Sequence, residues 1–145
     1  MAVTAKAYGL FLKSLLNKEI DFDSDDIRIM LVTAGHTPDQ DTHQYKNQVT
    51  NEVSGTGYTA GGVALASKTV TYTSGTNTIT LDCADPSWST ATITARYAIV
   101  YDNTPATDAT RPLIGYIDFG ADVSSTAGTF QITIDSAGLL TLTAA

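Results

Sequence analysis

The segment from Thr92 to Gly120 constrains this fold more than any other, because it holds two runs that alternate as β-strands do, joined by a loop of turn formers. In T-I-T-A-R-Y-A-I-V-Y, Ile93, Ala95, Tyr97, Ile99 and Tyr101 fall on one face of a period-two ladder, and Thr94, Arg96, Ala98 and Val100 on the other. In P-L-I-G-Y-I-D-F-G, Leu113, Gly115, Ile117 and Phe119 alternate with Ile114, Tyr116 and Asp118, with Pro112 at the opening position that a strand tolerates and Gly120 closing the run. The intervening D-N-T-P-A-T-D-A-T-R reads as a mobile surface loop. The pair is expected to supply much of the core, and it carries no recognisable chemistry.

Weaker signals of the same kind recur along the chain. Ile27, Ile29 and Leu31 share one face of I-R-I-M-L-V-T, a strand over 27–33, and V-A-L-A-S follows the turns at Gly55–Gly57 and Gly61–Gly62. K-T-V-T-Y-T and T-N-T-I-T-L-D-C, separated by Ser74–Gly75, predict a β-hairpin with Val70 and Tyr72 facing Ile79 and Leu81. Asp85-Pro86-Ser87-Trp88 reads as an interruption that places the lone tryptophan at the sheet's end, as a core plug or an interface anchor. The last strands are G-T-F-Q-I-T-I-D, with Phe130, Ile132 and Ile134 inward, and G-L-L-T-L-T. At the N-terminus, Tyr8, Leu10, Phe11, Leu15 and Leu16 recur at helical spacing, which predicts one amphipathic helix over about 4–17, with Thr4 as N-cap. The expected fold is therefore mainly β: an antiparallel sandwich or barrel of short strands, a single domain over 1–145, with the helix packed against a β core at 27–33 and 63–143.

Between the first strand and that core, about 34–58, the pattern dissolves into a long polar loop with few apolar anchors. Long loops in small domains tend to be functional or to contact a neighbour. The candidate contact surface is therefore drawn from this loop and from the aromatic residues around it: His36, Pro38, His43, Tyr45 and Val49, with Tyr8 and Phe11 of the helix and Trp88.

The charge balance narrows the partners. A net charge of -7, with eight Lys and Arg scattered singly, argues against a nucleic-acid backbone. No run approaches the ~18 apolar residues of a membrane span, and Ala2–Leu16 lacks the apolar core and cleavage site of a signal peptide. Cys83 stands alone, so it forms no internal disulfide. It reads as a small buried hydrophobe in a chain that matures in a reducing cytosol.

Four patterns invite a chemical reading. The acids of D-F-D-S-D-D, Asp21 to Asp26, alternate as calcium ligands do, but a helix-loop-helix calcium loop needs Gly where Asp26 stands and Glu where Val32 stands, so an acidic turn is the better reading. His36 and His43 bracket Asp39 and Asp41 without a third nitrogen ligand or a cysteine, which fits loop histidines better than a metal centre. G-T-G-Y-T-A-G-G lacks the following helix of a phosphate loop, so its glycines are assigned to turns. Asp118 and Asp135 read as edge or turn acids. The expectation is no enzyme activity, no metal and no cofactor.

Taken in order, the blocks K-A-Y-G-L-F-L-K-S-L-L-N-K-E-I-D-F-D-S-D-D-I-R-I-M-L, T-P-D-Q-D-T-H, N-E-V-S-G-T-G-Y-T-A-G-G, W-S-T-A-T-I-T-A-R-Y-A-I-V-Y and P-L-I-G-Y-I-D-F-G span nearly the whole chain. As a set they resemble a family of small virion proteins of tailed bacteriophages. The resemblance implies a structural component of the particle: a capsid decoration (cement) protein bound to the major capsid protein, or a minor tail or fibre-associated protein touching the tail or the host surface. It transfers no individual functional residue. A decoration protein would be assembled into the virion in the host cytoplasm as a homo-oligomer, most simply a trimer at local three-fold positions. A tail module would need an exposed aromatic platform, with Tyr45, Tyr58 and Trp88 as its candidates, and a virion hydrolase would need converging carboxylates in a cleft.

Overall fold

The computed structural model describes residues 2–144. Its elements are β1 (Thr4–Ala7), α1 (Gly9–Leu16), β2 (Ile27–Val32), β3 (Val63–Ala64), β4 (Thr69–Thr73), β5 (Thr78–Asp82), β6 (Ser87–Asp102), β7 (Leu113–Gln131) and β8 (Leu140–Thr143), with a 3-10 turn at Lys46–Gln48. They form two antiparallel sheets, one ordered β1-β7-β6-β2-β3 and the other β4-β5-β8. The chain is thus mainly β with one short helix.

The alternating pair becomes the centre of the larger sheet. β6 lies between β7 and β2, and the register joins Ile29, Leu31, Ala98, Val100, Gly115 and Ile117 on one face. The smaller sheet rests there: a Cβ placed on Gly115 would meet Leu140 Cδ1 at 3.0 Å, so glycine is what lets β8 approach. Met30, Ile99 and Tyr116 share the opposite face, which the long loop covers. Tyr101 Oη donates to Gly61 O at 2.8 Å, and Lys46 Nζ sits 5.4 Å from the Tyr101 ring centroid. With both faces covered, every residue from Ala98 to Asp102 is buried, although the sequence there alternates only weakly in polarity.

Both long strands outrun their expected ends. β7 passes through Gly120 (φ +78°) instead of closing on it. Between the pairs Ala95–Val123 and Tyr97–Asp118 the register slips, opposing Arg96 to a bulge of several residues. Asp118 holds that bulge: its Oδ1 accepts from Gly120 N at 2.7 Å and from Arg96 Nε at 3.1 Å. β6 likewise starts at Ser87, so Trp88 belongs to the strand, paired with Phe130, and does not interrupt it. The loop between the two strands is pinned through Arg111, which donates to Pro105 O at 2.9 Å and Asp108 Oδ1 at 2.7 Å.

The N-terminal helix is shorter than its periodicity predicts. Thr4–Ala7 forms a strand in register with Asp118 to Gly115, and only Gly9–Leu16 is helical. The open edge of β7 offers the backbone of Thr4–Ala7 a ladder, and Tyr8 extends it by donating from its N to Ile114 O at 3.1 Å. Thr4 is therefore no cap. Tyr8 takes that position in an extended conformation, and the long loop satisfies the first helical turn, Gly9 N donating to Gln40 O at 2.8 Å.

Candidate interaction surface

Half of the predicted contact residues lie inside the protein. Tyr8 (0% exposed), Phe11 (1%), His36 (2%) and Trp88 (3%) belong to the core, so they shape the surface from beneath and touch no partner directly. An aromatic ring adds apolar area wherever it sits, and here tertiary packing takes it up. Pro38, His43, Tyr45 and Val49 are half-buried.

The histidines serve the loop's own structure. His36 and His43 stack with ring centroids 5.5 Å apart, and Tyr8 packs 6.4 Å from His43. Thr50 N donates to His36 Nδ1 at 3.3 Å, and Asp39 N donates to His43 Nδ1 at 3.2 Å. Burial, with His43 beside it, holds the His36 imidazole below its ordinary pKa and so keeps it neutral. Asp39 is held below the carboxylate range by hydrogen bonds from the Thr42 side chain and from the Asp41 and Thr42 amides.

The acidic turn is likewise self-satisfying. Asp21 Oδ1 accepts from Asp23 N and Ser24 N, both at 3.2 Å, and Asp25 Oδ2 accepts from Asp21 N at 2.6 Å. Asp26 bonds Arg28 Nε at 2.9 Å and Asn103 Nδ2 at 2.8 Å, fastening the turn to the end of β6. Among the described residues no group of three or more His, Cys, Asp or Glu is placed to hold a metal ion.

The glycines of the supposed phosphate loop permit close backbone approach. A Cβ on Gly57 (φ +80°) would lie 2.7 Å from Ala91 Cα, and one on Gly55 would lie 2.5 Å from Thr92 O. They seat the loop against β6, where Thr92 N donates to Thr56 O at 2.9 Å.

The surface that is open and apolar lies elsewhere. Leu12 and Leu16 of α1 (46% and 84% exposed) and Val70, Tyr72 and Ile79 of the β4–β5 hairpin (47%, 61% and 37%) form one face. A hollow of about 290 Å³ lies between Leu12, Tyr72, Ile79 and Leu142, and one of about 600 Å³ between Leu15, Val70, Ile79 and Leu142. The hairpin pairs as expected, Val70 with Leu81 and Tyr72 with Ile79; on this face Leu81 is buried against the core, while Val70, Tyr72 and Ile79 stay open beyond it. A second groove of about 580 Å³ runs between Val3, Phe119, Val123 and Ile134.

None of these five residues is among the contact residues predicted from the sequence, although a signal was there. G-L-F-L-K-S-L-L is apolar around more of its circumference than one packing contact needs, since Phe11 alone of its large side chains is fully buried. T-V-T-Y-T alternates cleanly, which tells a strand's two faces apart without telling which is covered.

No family model, no curated protein and no solved structure matches the chain.

Proposed function

We propose that this chain is a structural component of a tailed-bacteriophage particle, first a decoration protein that binds the outer surface of the head and stabilises it without catalysis. The resemblance of its sequence blocks supplies the particle, and the open apolar face of α1 and the β4–β5 hairpin supports a chain that works by contact. We read the two facing sheets as a sandwich. Its partners are then the major capsid protein and further copies of itself, with the virion as its location. Low affinity per copy suffices, because contacts shared through an oligomer add by avidity.

The tail reading ranks second. It asks for an aromatic platform, whereas Trp88 is buried, Tyr58 is stacked on it, and Tyr45 Oη is engaged by Glu19 Oε2 at 3.2 Å. The test is particle heat resistance and copy number after substitutions on the exposed faces. Deleting the long loop does not test it, since the loop covers Met30, Ile99 and Tyr101 and its loss would unfold the core. Surface variants that fold normally yet leave occupancy and heat resistance unchanged, whichever exposed face they alter, would count against decoration.

A further inference from the structure

We infer that the open edge of β4, beside the apolar face of α1 and the β4–β5 hairpin, is where one copy of this chain pairs with a second, through antiparallel contact between the two β4 strands. Val70 and Tyr72 on the pairing strand are 47% and 61% exposed, so each has open surface for a second strand to cover.

The open edge of β4 shows how the second copy would sit. β4 ends the smaller sheet, and all five of its residues are exposed. It carries no charge, no proline and no bulge, the features that usually protect an edge from further pairing. Of the other edges, β1 has Lys6, β3 is two residues long, and β8 is a four-residue, partly buried strand that lies against β1. T-V-T-Y-T is also self-complementary. In an antiparallel pair centred on Thr71, Val70 of each copy lies opposite Tyr72 of the other, an aromatic with β-branched pairing of the favourable kind. The apolar face then runs on across the junction. Electrostatics favour this edge too: two chains of net charge -7 repel, and β4 carries no charge.

Antiparallel edge pairing is a two-fold operation, so the unit is a dimer in place of the trimer expected from shell symmetry. The inference takes from the virion reading only its homo-oligomer and is tested without particles.

The experiment is the solution mass of the purified full chain, by light scattering or sedimentation over a range of concentrations. Wild type is expected at twice the 15.3 kDa of one chain. The double variant Val70→Lys/Tyr72→Lys puts like charges opposite each other and is expected at the single-chain mass, as is Val70→Glu/Tyr72→Glu, each with unchanged circular dichroism. Mixing the two variants is expected to restore the doubled mass. A monomeric wild type, a trimer, or a doubled mass that survives in either variant alone would overturn the proposal. A monomeric wild type whose variants still lose particle binding would give the face to a shell protein, overturning self-pairing and leaving the virion reading intact.

Discussion

Tyr58 stacks on Trp88 with ring centroids 6.0 Å apart and 27° between planes, while its hydroxyl donates to Glu52 Oε1 at 2.8 Å and accepts from Leu31 N at 3.0 Å. One side chain thus fastens the long loop to β2 and to the outer half of β6. Tyr58→Phe keeps the stacking but strands the Leu31 amide and leaves Glu52 with the Gly61 amide as its remaining donor, so it is expected to cost about 1–3 kcal/mol. Trp88→Ala opens the core and is expected to cost about 3–5 kcal/mol. Urea unfolding of the two variants checks both values and their order.

Asp102 makes stability depend on pH. It is fully buried, its Oδ1 accepts from Thr104 N at 2.8 Å, and its Oδ2 has no partner. Burial, reinforced by the Asp25 carboxyl beside it, outweighs the Thr104 hydrogen bonds and lifts its pKa to about 6, from the ordinary 3.8. The folded state therefore binds this proton more tightly than the unfolded chain. The resulting stability is fully present below pH 3.8 and is lost as pH rises through 6. His36 acts oppositely: its pKa is lowered, so its contribution is lost as pH falls below 6.5. The difference between wild type and Asp102→Asn isolates the carboxyl. The variant's gain in Tm over wild type is expected to grow between pH 4 and 7, and a flat difference would count against a raised Asp102 pKa.

Two glycines should respond oppositely to the same substitution. Gly62 has φ +73°, and a Cβ there would run into Ile29 O and lie 2.7 Å from Met30 Cα. Gly62→Ala forces β3 away from β2 and is expected to cost on the order of 3 kcal/mol or more. Gly75, at the tip of the β4–β5 hairpin, has nothing within 4 Å of its would-be Cβ. Gly75→Ala is expected to stay within about 0.5 kcal/mol of wild type. Thermal unfolding of the pair is the check.

Cys83 is expected to resist thiol reagents in the folded protein. It is buried, and burial, followed by the nearby Asp82 and Asp85 carboxylates, pushes its thiol up to about 11. Labelling at pH 7 should be slow and should become rapid when denaturant unfolds the chain. Fast labelling of native protein would place the thiol at the surface.

The fold was legible where alternation had a buried side to report. β2, the β4–β5 hairpin, β8 and the central parts of β6 and β7 follow their apolar pattern. β1 was hidden because four residues carry too little periodicity to compete with the helical spacing that runs through Tyr8, Phe11 and Leu15, and its partner lies more than a hundred residues away. The second half of β7, Ala121–Thr129, is exposed or half-buried throughout, so its Ser, Thr and Gly showed no inward face. The contact surface was the least legible part. Tyr8, His36 and Trp88 look the same in a sequence whether they pack inward or outward, and here they pack inward, while Leu16 and Tyr72 remain open.

The position of the protein in an intact particle decides between decoration and its alternatives. Imaging purified virions at a resolution that fits a chain of this size tests it directly. A decoration protein is expected to give regularly repeated density on the outer surface of the head, into which the two sheets and α1 fit with the long loop closed over the larger sheet. Density confined to the tail or to a single vertex, or none on the particle at all, would contradict it.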